Sequence, residues 1–228
     1  MSERADGGAK MFDAIAPGYD RLNRLMSLGL DRVWRERLVR SIAVARPARI
    51  LDVATGTGDV LLRLREEYPH AELVGIDPSA EMLARAAAKL RGDSKVSTQQ
   101  GSAMDLPYAD ASFDAVTVAF GLRNFPDRQR GVLEMARVLR PGGALSILEL
   151  TDPRGLLAPI ARVHVHRIVP MLGRWLSRGA PYEYLSESIA AFPPPAEVCA
   201  WLRGAQLTRV RATPMTLGAV HIFAGIRC

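Results

Sequence analysis

The segment LDVATGTGD (Leu51–Asp59) follows an apolar run and contains two glycines in a Gly-x-Gly pattern. This pattern predicts a buried strand that turns tightly into a helix, because glycine tolerates the turn and leaves space for a ligand to approach the backbone. We assign the strand to RILDVA (49–54) and the helix to DVLLRLREEY (59–68). The turn is expected to lie where open α/β sheets bind their ligands, at the carboxyl end of a strand.

On either side of this turn, from residue 48 to 150, short apolar runs alternate with segments of helical periodicity. The predicted strands are RILDVA (49–54), ELVGID (72–77), KVSTQQ (95–100), FDAVTVA (113–119) and ALSILEL (144–150). The helical segments between them are residues 59–68, 79–92 and 127–143, and Arg140–Gly143 mark a turn into the last of these strands. Such alternation requires crossover connections, which predicts a parallel sheet with helices on both faces.

The segments outside this core complete the predicted architecture. Residues 11–47 form a helical extension or lid, interrupted at Pro17 and around Gly29, and residues 151–205 form a second helical region that ends in the helix PPAEVCAWLRGA (194–205). TRVRATP (208–214) and AVHIFAGIR (219–227) form a strand pair within residues 206–228. The fold class is therefore α/β, with one doubly wound, mostly parallel seven-stranded sheet in a single domain of residues 1–228, and residues 1–10 are expected to be disordered.

Composition and charge limit the function classes. The 228 residues contain two cysteines and no uninterrupted apolar run long enough to span a bilayer, and the first ten residues do not resemble a secretory signal, so we expect a cytoplasmic protein. The net charge of +6 divides into +4 for residues 1–49, −3 for residues 50–150 and +5 for residues 151–228. The chain has no basic run of five residues, which disfavours a nucleic-acid partner.

Two acids accompany the glycine turn. Asp52 precedes it, and Asp77 ends the next predicted strand nineteen residues after Gly58, a spacing that lets a carboxylate accept hydrogen bonds from ribose hydroxyls. Leu61 stands where a dinucleotide fingerprint has its third glycine, which disfavours a NAD-dependent dehydrogenase. Two interpretations are open for these residues: a nucleoside pocket, or a tight turn and a helix-starting acid with no ligand.

The same residues carry a family resemblance. LDVATGTGD followed by GIDPS (Gly75–Ser79) resembles the nucleoside-binding motifs of class I S-adenosylmethionine-dependent methyltransferases. YDRLNRLMSLGLDRVW (Tyr19–Trp34) and RVLRPGGALSILELT (Arg137–Thr151) are similar to the two signatures of the menaquinone and ubiquinone biosynthesis C-methyltransferases. FGLRN (120–124) and YEYLSESIAAFP (182–193) resemble other stretches of that family. The chain departs mildly from the family pattern at Leu22, Arg140 and Thr151, and Ala119 replaces a hydroxyl residue.

The resemblance implies that residues 48–150 bind S-adenosyl-L-methionine. The residues expected to bind this cofactor are Asp52, Gly56, Thr57, Gly58, Asp77, Ser102 and Ala103. The last two belong to QGSAMDLPY (100–108), where the family often has an acid or Asn near the adenine amine. Ser102 can accept one hydrogen bond, so adenine recognition is expected to depend on backbone groups.

For catalysis, we hypothesise that Arg123 stabilises phenolate character on the substrate and that Asn124 orients a ring hydroxyl. The alternative is that Arg123 caps a carbonyl or pairs with an acid such as Asp127. Tyr19, Tyr182 and Tyr184 are candidates for an aromatic substrate pocket, although alternating tyrosines are also typical of half-buried extended backbone. No Cys/His cluster has metal-ligand spacing, so no metal is expected.

The function implied by the resemblance is methyl transfer to a ring carbon of demethylmenaquinol, giving menaquinol. The alternatives are the ubiquinone precursor 2-polyprenyl-6-methoxybenzoquinol, another small molecule on the same fold, and, from a different class, a basic RNA-binding or RNA-modifying protein. A polyprenyl quinol is a membrane lipid, so the Arg-rich segment of residues 154–178 is either a surface for peripheral contact with the inner face of the membrane or a solvated helix face. The sequence does not predict the oligomeric state.

Overall fold

The structure is a computed structural model, which describes residues 12–13, 16–153 and 187–228. Its centre is one seven-stranded sheet. The strands are β1 (Arg49–Val53), β2 (Glu72–Asp77), β3 (Val96–Gln100), β4 (Phe113–Ala119), β5 (Leu139–Leu150), β6 (Leu207–Met215) and β7 (Val220–Arg227). Every strand predicted from the sequence is present.

The order of the strands in the sheet is β3-β2-β1-β4-β5-β7-β6. Strand β1 pairs in parallel with both β2 and β4, whereas β7 runs antiparallel between β5 and β6. The prediction of a mostly parallel, seven-stranded sheet is thus confirmed. Because the chain leaves β1 towards β2 on one side and later returns to β4 on the other, a crevice opens at the carboxyl ends of β1 and β4, where ligands bind in such sheets.

Six α-helices that lie entirely within the described residues flank the sheet. They are α1 (Tyr19–Met26), α2 (Asp31–Ser41), α3 (Asp59–Glu67), α4 (Ala80–Lys89), α5 (Arg128–Arg137) and α6 (Pro195–Gly204). The predicted interruption around Gly29 is confirmed, because the chain turns between α1 and α2. Ser79 caps α4 by accepting the Met82 N–H at 3.1 Å, and Asp127 caps α5 by accepting the Arg130 N–H at 3.0 Å.

The predicted turn at Arg140–Gly143 is not separate from the sheet. Strand β5 begins at Leu139, which pairs with Phe113, and the register of the two strands then shifts before Ala144 pairs with Ala115. The segment therefore forms an irregularity inside a long strand, with Gly142 at a φ of +79°. Proline and glycine are common at such irregularities, which is why the local pattern predicted a turn.

Apolar side chains cover both faces of the sheet. On one face, α5 and α6 pack on strand residues such as Val116 and Phe223, and on the other, α2 and α3 pack on residues such as Ile50 and Leu73. Leu61, at the position of the missing third glycine, is fully buried. Its Cδ1 atom lies where a Cβ atom on Gly75 would approach within 2.7 Å, so a glycine on the strand accommodates the leucine on the helix.

Part of the predicted helical region, the disorder expected for residues 1–10 and the basic segment 154–178 lie outside the described residues. Within the described ranges, no helix has the length and apolar character needed to cross a membrane.

Candidate active site

A cleft of about 480 Å³ opens at the carboxyl ends of the parallel strands. Its volume is in the range of small-molecule sites in proteins. The walls come from the ends of β1, β2, β3 and β4 and from the N-terminal segment that carries Phe12 and Tyr19. The lining residues are Phe12, Tyr19, Ala54, Gly56, Ile76, Asp77, Pro78, Met82, Gln100, Gly101, Ser102, Ala103, Met104, Ala119, Phe120, Gly121, Asn124, Phe125 and Pro126.

The glycine turn after β1 forms one side of the cleft. Gly56 has a φ of +55° and no atom near the place where its Cβ would stand, so its backbone faces open space. Gly58, with a φ of +82°, precedes α3, and a Cβ there would lie 3.0 Å from the Cβ of Ala86. The first glycine therefore leaves space in the cleft, whereas the second lets α3 and α4 pack closely behind it.

Asp77 lies opposite Gly56 at the end of β2. Its carboxylate accepts the Gly56 N–H at 2.8 Å and the Ser79 N–H at 2.9 Å. Burial raises the pKa of this carboxyl, while the two backbone hydrogen bonds act in the opposite direction. A carboxylate has about four acceptor positions, so the two backbone donors leave capacity for hydroxyl groups of a ligand in the cleft.

Asp52 is fully buried and is not among the lining residues. It accepts the Thr55 hydroxyl at 2.6 Å and the hydroxyl of Thr117, its register partner on β4, at 2.7 Å. Burial raises the pKa of the Asp52 carboxyl to about 7, although both hydrogen bonds favour the ionised form. Asp52 therefore connects β1 to β4 and to the glycine turn through these two hydrogen bonds. Its direct contact with a cofactor stays a prediction.

Thr57 also faces away from the cleft, towards a lysine that joins three elements. The Nζ atom of Lys89 on α4 lies 2.7 Å from Asp20 on α1, 2.6 Å from Asp59 on α3 and 3.0 Å from the Thr57 hydroxyl oxygen. Thr57 donates to Asp20 at 2.6 Å. Burial opposes ionisation of Asp20, but the hydrogen bonds from Lys89 and Thr57 outweigh it and lower the pKa. This cluster attaches α1, and hence the Tyr19 wall of the cleft, to the glycine turn.

The residues after β3 form the wall across from the glycine turn. Ser102 and Ala103, which are expected to bind the cofactor, line the cleft, and the Ser102 hydroxyl oxygen accepts the Met104 N–H at 3.1 Å. Gln100, at the end of β3, donates from Nε2 to the Pro78 carbonyl at 2.9 Å. Side chains of Ile76, Met82 and Phe125 supply apolar area beside these polar groups.

Arg123 is directed away from the cleft. Its Nη1 atom lies 2.7 Å from the Glu149 carboxylate and donates to the Phe120 carbonyl at 2.6 Å, and its backbone N–H donates to the same carboxylate at 3.0 Å. Glu149 is completely buried and also accepts the Leu150 N–H at 2.9 Å. This geometry is the structural alternative considered for Arg123, a carbonyl cap and an acid partner, except that the acid is Glu149 and not Asp127.

Asn124, the neighbour of Arg123, does line the cleft. It lies in the short turn Leu122–Asn124 after β4, and its Nδ2 atom is 3.4 Å from the Phe120 carbonyl oxygen. The ion pair of Arg123 with Glu149 lies directly behind this turn. The structure thus separates two neighbouring residues that were predicted to act together: one faces the ligand space and the other supports its backbone.

An aromatic wall completes the site. Phe120 has a φ of +59°, Ala54 a φ of +53°, and both line the cleft at the ends of adjacent strands. Positive φ values cost about 1–2 kcal/mol at non-glycine residues, and such strain clusters at functional sites. Trp34 packs edge-on against Phe120 at 6.2 Å. Tyr19 lines the cleft and its role in substrate binding stays a prediction, whereas Tyr182 and Tyr184 lie outside the described residues.

Several lining residues were not singled out from the sequence, namely Phe12, Ala54, Gln100, Phe120 and Phe125. The position of Gln100 at the end of a predicted strand was a usable signal, and so was that of Phe120 directly after β4. Ala54 belongs to the motif LDVATGTGD but was not named as a contact residue, and no local pattern marked Phe12. In the parts of the chain that the structure describes, no group of three His, Cys, Asp or Glu side chains could hold a metal ion.

Comparison with known proteins places this site in a family. The sequence profile of the ubiE/COQ5 methyltransferase family matches residues 2–227. A demethylmenaquinone methyltransferase of Thermus thermophilus is 45% identical over 221 residues, covering 95% of this chain and 100% of the relative. A ubiquinone/menaquinone biosynthesis C-methyltransferase UbiE of Syntrophotalea carbinolica is 43% identical over 219 residues, covering 95% of this chain and 92% of the relative.

Solved structures support the fold. The crystal structure of a SAM-dependent methyltransferase from Thermotoga maritima superposes with a TM-score of 0.68, covering 97% of this chain and all of that one. Its sequence identity to this chain is 18%, so the likeness concerns the fold. The Rossmann-like methyltransferase fold predicted from the sequence is thereby confirmed.

Proposed function

The chain belongs to the ubiE/COQ5 methyltransferase family, and on that premise we propose that it transfers a methyl group from S-adenosyl-L-methionine to the ring carbon of demethylmenaquinol, giving menaquinol. The observation that carries the proposal is the carboxylate of Asp77, which two backbone N–H groups hold at the edge of the cleft beside Gly56. This is the position and the chemistry that a nucleoside cofactor needs in an open α/β sheet.

The residues of the cleft fit this cofactor. Asp77 would accept the two ribose hydroxyls, and the open backbone at Gly56 leaves space for the chain that carries the methyl group. Ile76, Met82, Ser102 and Ala103 supply a mainly apolar slot with one hydroxyl, which suits an adenine ring. Asp52, Thr57 and Gly58 would support this half of the site from behind.

S-adenosylmethionine supplies an electrophilic methyl group, so the protein must align the substrate, exclude water and make the ring carbon nucleophilic. We assign alignment of a ring hydroxyl to Asn124, whose side chain faces the cleft, and stacking of the ring to Phe120, Phe125 and Tyr19. These aromatic groups also displace water from the reacting atoms. Tyr182 and Tyr184 stay candidates for the same pocket.

We assign Arg123 a positioning role rather than contact with substrate. Its guanidinium neutralises the buried Glu149 and holds the Phe120 carbonyl, and both contacts fix the turn that presents Asn124. Any electrostatic influence on phenolate character then acts through this turn. The single domain of residues 1–228 would consist of the N-terminal lid, the cofactor core of residues 48–150, the helical region of residues 151–205 and the C-terminal strand pair.

The proposed substrate is dissolved in lipid, so we propose that the protein works at the inner face of the membrane through peripheral contact. We propose no nucleic-acid partner. The basic segment of residues 154–178 is one candidate for the membrane contact.

The experiment is a mass-spectrometric assay with methyl-labelled S-adenosylmethionine and two acceptors, demethylmenaquinol and 2-polyprenyl-6-methoxybenzoquinol, each offered in turn. We expect demethylmenaquinol to gain the labelled methyl group on carbon and Asp77→Asn to abolish most of the gain at low cofactor concentration. Asp110→Asn, at an exposed side chain that is not among the residues lining the cleft, is the matched control and should leave the rate unchanged. Labelling of the methoxybenzoquinol alone would show that this compound, and not demethylmenaquinol, is the substrate. Labelling of neither acceptor would refute the proposal.

A further inference from the structure

Exposed apolar side chains concentrate at the turn between α1 and α2. Among the described residues, seven large apolar side chains are exposed, and four of them lie within nine residues of the chain. We call this group the apolar tip; its members are Leu25, Leu28, Leu30 and Val33. Leu28 is 70% exposed, the highest value of the seven. Single exposed leucines are ordinary on protein surfaces, whereas four exposed apolar side chains within one helix–turn–helix segment are a candidate surface for contact with another apolar phase.

The backbone of the tip closes α1 with a left-handed turn, in which the Gly29 N–H donates to the Arg24 carbonyl at 2.8 Å and the Leu28 N–H donates to the Leu25 carbonyl at 3.1 Å. Leu28 has a φ of +52° and is followed by Gly29 at +79°. Glycine or asparagine is the usual residue at such a capping position, whereas this chain has a leucine there, and its side chain stays mostly exposed. Leu217, 51% exposed, repeats the pattern with a φ of +55°. Leu217 lies near α2, because the indole N–H of Trp34 on α2 donates to the hydroxyl of the neighbouring Thr216 at 3.0 Å.

Positive charge surrounds the tip. Arg21, Arg24, Arg32 and Arg37 are exposed on α1 and α2, and none makes an ion pair with another described residue. The acids of the same two helices are already paired: Asp20 with Lys89, Asp31 with Arg35, and Glu36 with Arg40. Helix α1 has no buried residue at all. An apolar edge flanked by arginines is the composition of helices that lie in the interface of an anionic bilayer.

The tip is also joined to the cleft. Helix α1 begins at Tyr19, a lining residue, and α2 packs Trp34 and Arg35 against Phe120, another lining residue. The arginine lies 5.4 Å from the centre of the Phe120 ring. The surface formed by α1 and α2 is therefore in direct contact with the wall of the cleft.

We propose that the apolar tip and its flanking arginines form the surface by which this protein docks on an anionic lipid bilayer, with Leu28 and Leu30 entering the interface. The inference deepens the proposed function, on which it rests, since docking there would bring the cleft to a substrate dissolved in the lipid. It assigns the contact to residues 21–33, a different segment from the basic residues 154–178. The partner is a lipid surface of negative charge, since the free charges of the tip are positive.

The test is sedimentation of the full chain with phosphatidylcholine vesicles, with and without phosphatidylglycerol, in the absence of substrate and cofactor. Leu28→Glu should weaken binding to anionic vesicles by roughly tenfold or more, because it replaces a leucine that would enter the bilayer interface by a side chain with the same sign of charge as the lipid. Leu133→Glu, which makes the same change at an exposed leucine of α5, is the matched control and should bind as wild type does. Arg24→Gln with Arg32→Gln should reduce the preference for anionic vesicles, whereas Arg203→Gln with Arg209→Gln, the same change of charge on exposed residues elsewhere, should not.

Three results would overturn the proposal. Equal weakening by Leu28→Glu and Leu133→Glu would mean that charge alone governs binding. A lower Tm for Leu28→Glu than for Leu133→Glu would mean that another part of the chain covers the tip. Loss of a dimer in Leu28→Glu, without vesicle binding by wild type, would identify a second copy as the partner. Methyl transfer to a short-chain, water-soluble demethylmenaquinol, measured in parallel, tests the proposed function separately, and Leu28→Glu should leave that rate unchanged.

Discussion

Two buried carboxylates at the same edge of the sheet are satisfied in different ways. Asp77, at the end of β2, accepts two backbone N–H groups and lines the cleft. Glu149, on β5, accepts two backbone N–H groups as well, from Arg123 and Leu150, but it also pairs with the Arg123 guanidinium and has no exposed surface. The Asp77 carboxylate therefore keeps acceptor positions for a ligand, whereas the charge of Glu149 is neutralised by the Arg123 guanidinium.

This difference separates binding from support on one sheet edge. A buried carboxylate without a cation needs compensation, which ligand hydroxyls can supply, and a carboxylate already paired with a guanidinium does not. Asp77 and Glu149 both lie within motifs of the family, so the presence of a residue in a motif does not show that it contacts a ligand. The distinction can be tested by removing each partner in turn.

The largest effect is expected from Arg123→Ala. The substitution leaves the Glu149 carboxylate buried without a cation, so the free energy of unfolding should fall by about 3–5 kcal/mol, as measured by urea denaturation at neutral pH. Arg140→Ala is the matched control, because its guanidinium also pairs with an acid, Asp114, at 2.7 Å but is half-exposed. There the loss should be about 0–1 kcal/mol.

The opposite pattern for Arg123→Ala, unchanged unfolding with greatly reduced turnover at saturating cofactor, would favour contact between Arg123 and the substrate. The comparison of the two carboxylates would then be wrong, since Glu149 would belong to the catalytic group.

The next effect concerns the other carboxylate. Asp77→Asn should weaken the binding of S-adenosylhomocysteine by about 1.5–3 kcal/mol, because hydrogen bonds to a charged acceptor are lost. Isothermal titration calorimetry measures this change directly. Asp110→Asn should bind as wild type does, and unchanged affinity in Asp77→Asn would mean that ribose is bound elsewhere.

Much of this edge could be predicted because it is encoded locally. The glycine turn, Asp77 at the end of β2 and the start of α4 at Ser79 each follow from a few neighbouring residues. The pairing of Arg123 with Glu149 spans 26 residues and depends on β4 and β5 being neighbours, so no local pattern carries it. The same reason explains why Asp127, the nearer acid, was the expected partner; it caps α5 instead.

The strained residues were unpredictable for a different reason. Ala54 and Phe120 adopt a conformation that their residue types disfavour, and only the surrounding packing imposes it. Strand β5 shows a related limit, because its pairing with β4 overrides the turn preference of Arg140–Gly143.

A third buried carboxylate, Asp52, extends the comparison to the pH dependence of stability. Asp52 has neither a cation nor a backbone donor among its two hydrogen bonds, and burial raises its pKa from 3.8 to about 7. The folded protein therefore binds more protons at this site than the unfolded chain does between about pH 4 and 7. The contribution of Asp52 to stability becomes less favourable as the pH rises through that window, by at most about 1.4 kcal/mol per pH unit.

Asp52→Asn removes this titration, so the stability of the variant relative to wild type should increase from pH 4 to 7 and stay constant above that range. Thermal unfolding at a series of pH values measures the difference. Asp93→Asn is the contrasting control, since a backbone hydrogen bond from Lys95 lowers the pKa of Asp93, so its effect on stability should be constant above about pH 4 and change with pH only below that value. A flat difference for Asp52→Asn would mean that Asp52 is ionised throughout.

The smallest effect should come from the cation behind the glycine turn. Lys89 joins Asp20, Asp59 and Thr57, but these side chains are partly exposed, so Lys89→Met should cost about 1 kcal/mol of unfolding free energy. Because the lysine attaches α1 to the turn that faces Asp77, cofactor affinity should fall as well, whereas Lys95→Met, at an exposed lysine near His70, should change neither quantity. A loss of stability without a loss of cofactor affinity would show that the attachment of α1 does not affect cofactor binding. The ion pair of Arg123 with Glu149 would then be the remaining example of a buried contact that supports the cleft from behind.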